Sequence, residues 1–230
     1  MRSLLCFPGE GLNIRRCMDE GRVLLFNLSD GILGEQNAQL LGQLVVAKVQ
    51  LAAMSRANAA KEERRPFYLY VDEFQSFCST AASSYEKILS RARKYGLGLI
   101  LAHQQTGQIG ESVMREILGN VSTVVAFNVS ASDARRLARE MVGEVDGQPV
   151  ATDPQELLSL KVGEAIAKLG RNVLFIRTLP VPGGGSERVR DEIVRRSRQQ
   201  YGRLAQSRTS TARPAQASGK LDDLDPGQVF

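Results

Sequence analysis

The sequence predicts an α/β fold, a mainly parallel β-sheet with helices on both faces. Three observations predict it. Short apolar runs alternate with amphipathic stretches of helical length. The apolar runs are nearly continuous, as in strands covered on both sides. Two of them end on polar pairs, Asp72-Glu73 and Gln104-Gln105, at the strand ends where parallel sheets bind ligands.

RVLLFNL (22–28) reads as a buried strand closed by a polar turn. In residues 35–56, Leu40, Leu41, Leu44, Val45, Val49 and Ala52 form an apolar stripe at helical spacing. A charged connection, ANAAKEERRP, leads to the strand FYLYVD (67–72). SSYEKILSRARKYG (83–96) predicts an amphipathic helix stopped by Gly96, and LGLILAHQQ (97–105) the next strand. A helix over 111–120 ends at Gly119-Asn120. VSTVVAFNV (121–129) follows as a strand, and a helix over 130–143 has Ser130 or Ser132 to cap it. A loop then leads to a hairpin over 162–179, turned at Gly170-Arg171-Asn172.

Residues 1–180 are thus expected to form one domain, 181–186 a Gly/Pro linker and 187–206 a basic helix. Residues 207–230 have a composition unable to bury a core and are expected to be a disordered tail. Between Ser186 and Arg213 there are eight arginines and three acids, an excess equal to the net charge of +5. That balance suits nucleic acid or a partner protein, and equally a solvated tail.

Composition excludes several chemistries. Cys6, Cys17 and Cys78 make no metal or redox spacing and suit a reduced, cytoplasmic setting. His103 is the only histidine, which argues against a zinc site and a Ser-His-Asp triad. No secretory pattern follows Met1, and no apolar run is long enough to cross a membrane.

YLYVDEF (68–74) carries the first chemical motif. A buried strand ending in Asp is how P-loop nucleotide hydrolases help hold Mg²⁺, and a following Glu can polarise the attacking water. Asp72 and Glu73 would equally serve as a cap and a first-turn acid for a helix. SRARKYGLGLILAHQQ (90–105) adds a basic helix end, a strand and two amides. Gln104, and after it Gln105, is placed to bind a γ-phosphate or orient water. Arg93, and after it Arg91, could reach a neighbouring subunit's nucleotide or remain a solvated helix charge.

Taken together, YLYVDEFQSF, ILSRARKYGLGLILAHQQTGQI and ILGNVSTVVAFNVSASDARRLAREM resemble the C-terminal half of the motor domain of type IV coupling proteins. These are the TraD/TraG-type conjugative ATPases, relatives of the FtsK and HerA translocases. MDEGRVLLFNLSDGILGEQNAQLLGQLVVAKVQLAAMSRA resembles the family's strand and helix before the acidic motif, so the likeness covers residues 10–180. It implies a RecA-like fold, ATP and Mg²⁺ as ligands, a homo-hexamer, and DNA, a relaxase and the secretion channel as partners. It implies Asp72 as the Mg²⁺-associated acid, acting through water, and Glu73 as the catalytic base. It also implies Gln104 as the sensor touching nucleotide and Arg93 as the arginine finger. His103 receives no role.

One departure is clear. A phosphate loop needs Gly-Lys-Ser/Thr, and the only Gly-Lys is Gly219-Lys220, followed by Leu221. Three expectations follow: a part of a longer ATPase, a half completed by a separate polypeptide, or a non-hydrolysing DNA- or partner-binding module. The first two place the protein at the cytoplasmic face of the inner membrane, attached only through residues not in this chain. An unrelated flavodoxin-like or Rossmann-type binding domain is the remaining alternative, with no G-x-G-x-x-G after the first strand to support it.

Overall fold

The computed structural model describes residues 12–77 and 92–201. These fall into two compact units that divide between Gly185 and Ser186.

In the first unit, helix α1 (Ile14–Glu20) starts on the Asn13 side chain, which accepts the Arg16 N–H. A short helix, α2 (Asp30–Leu33), precedes the long α3 (Glu35–Met54). Val46, Val49, Ala52 and Ala53 of α3 share an apolar cluster with Ile14 and Met18 of α1. A 3-10 turn, Ser55–Asn58, ends this helix. Strands β1 (Phe67–Val71) and β2 (Leu97–Leu101) then pair in parallel, with Phe67 beside Leu97 and Val71 beside Leu101. Val71 and Leu97 face the same cluster, and α4 (Glu111–Asn120) adds Val113, Met114 and Ile117 to it.

The chain continues through β3 (Thr123–Ala126), α5 (Ala131–Glu140), β4 (Val142–Val145), β5 (Gln148–Ala151), α6 (Pro154–Ser159), β6 (Glu164–Leu169) and β7 (Asn172–Arg177). The five strands form a sheet in the order β3-β6-β7-β4-β5. Ala134, Leu137 and Ala138 of α5 and Leu157 of α6 pack with Ala126, Ile166 and Val173 of this sheet. Asp153 and Glu156 close a capping box on α6, with Pro154 at its first turn.

The α/β class is as the sequence predicts, but strand direction differs from a mainly parallel sheet. Parallel pairing holds for β1–β2 and, at one position, for β4–β7. The pairs β3–β6, β6–β7 and β4–β5 are antiparallel. Short connections decide the β4–β5 and β6–β7 pairs, because two residues cannot carry a crossover between parallel strands. The β4–β5 hairpin lies where the sequence reading places a loop. It turns at Asp146-Gly147, both with positive φ (51° and 77°), which is the Asp-Gly signature of a tight hairpin.

Other boundaries shift. RVLLFNL forms no strand. Only Leu24 and Leu28 are partly covered, Val23 is 85% and Leu25 80% exposed, and no strand among the described residues pairs with the segment. The helix expected over 83–96 lies largely outside the described residues, and its last turn is a 3-10 turn, Ala92–Tyr95. The strand expected to reach Gln105 ends at Leu101, so both amides belong to the following loop. Of the two candidate caps, Ser130 is the one that accepts the Asp133 N–H.

The second unit's helix, α7 (Glu187–Tyr201), buries none of its residues. Its charges answer one another locally: Arg195 and then Arg196 hold the Glu192 carboxyl down to about 2. Residues 202–206, also expected to be helical, and the tail beyond lie outside the described residues. No described helix is long and apolar enough to cross a membrane.

One buried cation organises the first unit. The Arg56 side chain is fully buried. Its Nε donates to Asp19 at 3.0 Å, and its Nη1 donates to the carbonyls of Arg65 (2.9 Å) and Tyr95 (3.3 Å). Those carbonyls lie just before β1 and β2. Gly96, at φ 76°, lets the chain turn from Tyr95 into β2. A Cβ there would stand 3.4 Å from Arg56 Nη1 in a conformation that favours glycine. Replacing Arg56 by Met would strand two carbonyls and leave Asp19 paired with Arg15 alone. The expected loss is about 3 kcal/mol, seen in urea unfolding as a lower midpoint with an unchanged slope. A loss under about 1 kcal/mol would show that the clamp is dispensable.

Candidate active site

The parallel register of β1 and β2 sets the site. Because Val71 lies beside Leu101, the residues just beyond each strand emerge side by side. Two hydrogen bonds continue the pairing past the strand ends: Ala102 N–H to the Val71 carbonyl (3.0 Å) and Phe74 N–H to the Ala102 carbonyl (3.1 Å). Asp72, Glu73 and Gln104 are exposed there. Gln104 Nε2 donates to Glu73 Oε1 at 3.3 Å. Asp72 Oδ1 accepts the Glu73 N–H at 3.0 Å. Phe74, next in the chain, is 1% exposed and anchors the acidic turn in the core.

Glu73 has a left-handed backbone, φ 47°. A branched-off side chain at such a φ is strained, and strain of this kind clusters at functional sites. A helix begins at residue 75, so the acids also stand just ahead of a helical turn. Asp72 spends its recorded hydrogen bond on the next residue's N–H, whereas Glu73 faces Gln104.

Not every predicted residue joins this site. Arg93 lies in the turn before β2, at the opposite end from Gln104. Five strand residues separate the two ends by roughly 17 Å. That turn is held from behind: Arg64 Nη1 donates to the Lys94 carbonyl at 2.6 Å, and both Arg64 and Lys94 lie over the Tyr95 ring. Arg91 is outside the described residues. Gln105 is exposed, and no side-chain hydrogen bond is recorded for it.

The donor set fits part of a nucleotide site. Mg²⁺ commonly takes one or two protein carboxylates, with substrate phosphates and water completing its shell. Asp72 can supply one. No ion pair to Asp72 or Glu73 occurs among the described residues, nor does a cluster of three or more His, Cys, Asp or Glu side chains placed for a metal. The phosphate grip that a lysine would provide is not among these residues.

Sequence reasoning missed the groups behind the site. His103 packs edge-on against Phe74. Thr106 and Asp133, each 4% exposed, hydrogen-bond through the Thr106 hydroxyl. Asp133 carried a signal, being three residues after the cap Ser130. Thr106 carried none.

A family model described as the TraM recognition site of TraD and TraG matches residues 66–154. Those residues include β1, β2 and the Glu73–Gln104 pair. Residues 66–154 thus resemble the C-terminal region of TraD/TraG-type coupling proteins. Two solved structures share the chain's fold. The bacterial conjugative coupling protein TrwBdeltaN70, in its unbound monoclinic form, superposes with a TM-score of 0.58 at 16% identity, covering 74% of this chain and 44% of that one. The plasmid coupling protein TrwB in complex with ADP and Mg²⁺ gives 0.51 at 18% identity, covering 66% and 39%. The chain therefore spans less than half the length of those chains. Among curated proteins, none matches it in sequence.

Two outcomes are expected. Glu73→Gly removes the backbone strain and one weak hydrogen bond, so thermal unfolding should show a gain of up to about 1 kcal/mol. A loss instead would mean that the carboxylate stabilises the turn. For His103, burial lowers the imidazole pKa, against the Gln105 backbone and the Asp133 carboxylate, which raise it. The unfolded chain then binds a proton more readily than the native one. The stability from neutral His103 is full above the unfolded value of about 6.5 and falls as pH drops through it. Urea unfolding followed from about pH 7.5 to 5.5 should show this decline, and His103→Gln should flatten it.

Proposed function

We propose that this coupling-protein region is part of an ATP-driven DNA-translocating motor of a conjugative, type IV secretion system. The observation that carries the reading is the apposition of Glu73 and Gln104, at 3.3 Å, across the carboxyl ends of two parallel strands. In this reading Glu73 is the base that takes a proton from the attacking water. Gln104 senses the γ-phosphate and orients that water. Asp72 holds Mg²⁺ through water, and the metal would neutralise charge on the transferring phosphoryl group.

Arg93, remote from Gln104 in its own chain, acts on the nucleotide of the adjacent subunit of a homo-hexamer. The clamp from Arg64 on the same turn suits a finger that must hold its position. The phosphate loop comes from residues other than those of this site, and membrane attachment from outside this chain, at the cytoplasmic face of the inner membrane. DNA is the cargo, delivered with a relaxase to the secretion channel. The TrwB complex with ADP and Mg²⁺ supports the ligand class.

A second reading has its own support. The family match is described as a recognition site for TraM, and among the described residues no lysine pairs with the acids. On that reading residues 66–154 form a partner-binding module and hydrolyse nothing.

The two separate experimentally. This chain alone should gain less than about 0.4 kcal/mol from millimolar Mg-ATP in a thermal shift, since binding would be no tighter than millimolar. Joined to a coupling-protein half that carries a phosphate loop, it should hydrolyse ATP. Glu73→Gln in that hybrid should then keep nucleotide binding and lose turnover by about 10²–10⁴-fold. Binding without turnover in the unmutated hybrid would favour the recognition module.

A further inference from the structure

The two loops that follow β1 and β2 touch twice. Gln104 meets Glu73 through a hydrogen bond, and their neighbours His103 and Phe74 meet through their rings. The ring centroids are 5.2 Å apart and the planes are inclined at 80°, an edge-to-face contact. Phe74 is almost wholly buried, so it cannot shift without opening the core. Glu73 therefore has one neighbour locked in the core and a backbone φ that needs holding.

His103 has a second side. Its Nδ1 is buried without a hydrogen-bond partner among the described residues. An unpaired buried nitrogen carries a cost that a well-packed fold normally avoids. The Asp133 carboxylate, at the first turn of α5, acts on the imidazole. Asp133 accepts from the Ser130 hydroxyl at 3.1 Å and from the Thr106 hydroxyl. Behind Thr106 stands Arg136, which donates to the Thr106 oxygen at 3.5 Å and pairs with Glu111 of α4. His103 thus touches Phe74 beside the acid–amide pair, and it feels the charge of Asp133, which sits in a polar cluster joining α4, α5 and the 106–108 turn.

We propose that His103 is a positioning residue: its ring braces Phe74, which holds Glu73 opposite Gln104, and it couples that pair to the Asp133–Thr106 cluster. It touches no substrate and acts through Phe74. The charged groups around it are Asp133 from α5, with Arg136 and Glu111 beyond Thr106, and Glu73 beyond Phe74. Protonation places a cation beside Asp133 and draws the ring toward it, loosening the brace. The functional meaning rests on Glu73 and Gln104 being the reacting pair, but the brace is a property of the chain without nucleotide.

The test is an NMR titration of the full chain. His103 is the only histidine, so one imidazole signal reports it. Three readouts are followed with pH: the imidazole, the Gln104 side-chain amide, and the Glu73 HN–Hα coupling, which reads φ and is blind to a through-space charge. The expected result is that the Glu73 coupling and the Gln104 amide change at the His103 midpoint. In Phe74→Leu the imidazole still titrates while Glu73 and Gln104 no longer follow, and Phe74→Tyr restores the link. The proposal is overturned if the wild-type Glu73 coupling is flat through the His103 midpoint, or changes only in the carboxylate range. That wild-type result decides the matter even if Phe74→Leu fails to fold. A hybrid lacking ATP turnover would sink the motor reading and leave the titration unchanged. A flat titration would sink the brace and leave the motor reading standing.

Discussion

Everything that positions the site depends on a guanidinium with no water around it. Arg56 reaches the carbonyls of Arg65 and Tyr95, the points from which β1 and β2 set out. Fixing both starting points fixes the register, and the register decides what emerges at the far end five residues later. A slip of one residue would turn every side chain of a strand to its other face and move Gln104 away from Glu73. The charge on Arg56 is answered by Asp19 of α1, itself 41% exposed. The buried cation is therefore paired at its edge, where desolvation of the carboxylate is incomplete. A hydrophobic residue of similar volume could fill this space but could not specify two carbonyls at once.

The site also shows how the two ends of a parallel strand divide labour. At the carboxyl end of β2 stands an amide in contact with an acid. At the amino end stands a turn of basic residues held by Arg64. A strand is stiff, so the acid–amide contact and the basic turn stay apart within the chain.

Strain and packing meet in the acidic turn. Glu73 takes a conformation that a non-glycine residue leaves unless held, and Phe74 and His103 supply the hold. The neighbouring Thr106–Asp133 cluster is buried and fully engaged, so displacement there is carried to α4 and α5. Packed interiors respond by discrete shifts, so a shift at this contact reaches the helices behind it.

Much of this protein was legible before any coordinates. The alternation of apolar runs and helical stripes determined the α/β class, α3, α4 and α5, and strands β1 and β2. The run of motifs pointed to the coupling-protein resemblance, and DEF and HQQ fell at the ends of two strands that the fold sets side by side. Local patterns suffice for these because burial on one face or two leaves a periodic trace in the residues themselves. Tertiary structure alone decided the rest. RVLLFNL has the composition of a buried strand, yet a strand exists only where another supplies its hydrogen bonds, and none does among the described residues. In the second sheet the two-residue connections of β4–β5 and β6–β7, too short for crossovers, made those pairs antiparallel. Glu73 met Gln104, Phe74 met His103, and Thr106 met Asp133 across 31, 29 and 27 residues of chain. Such pairings leave no period to read, because they arise from the register that Arg56 sets and not from any one segment.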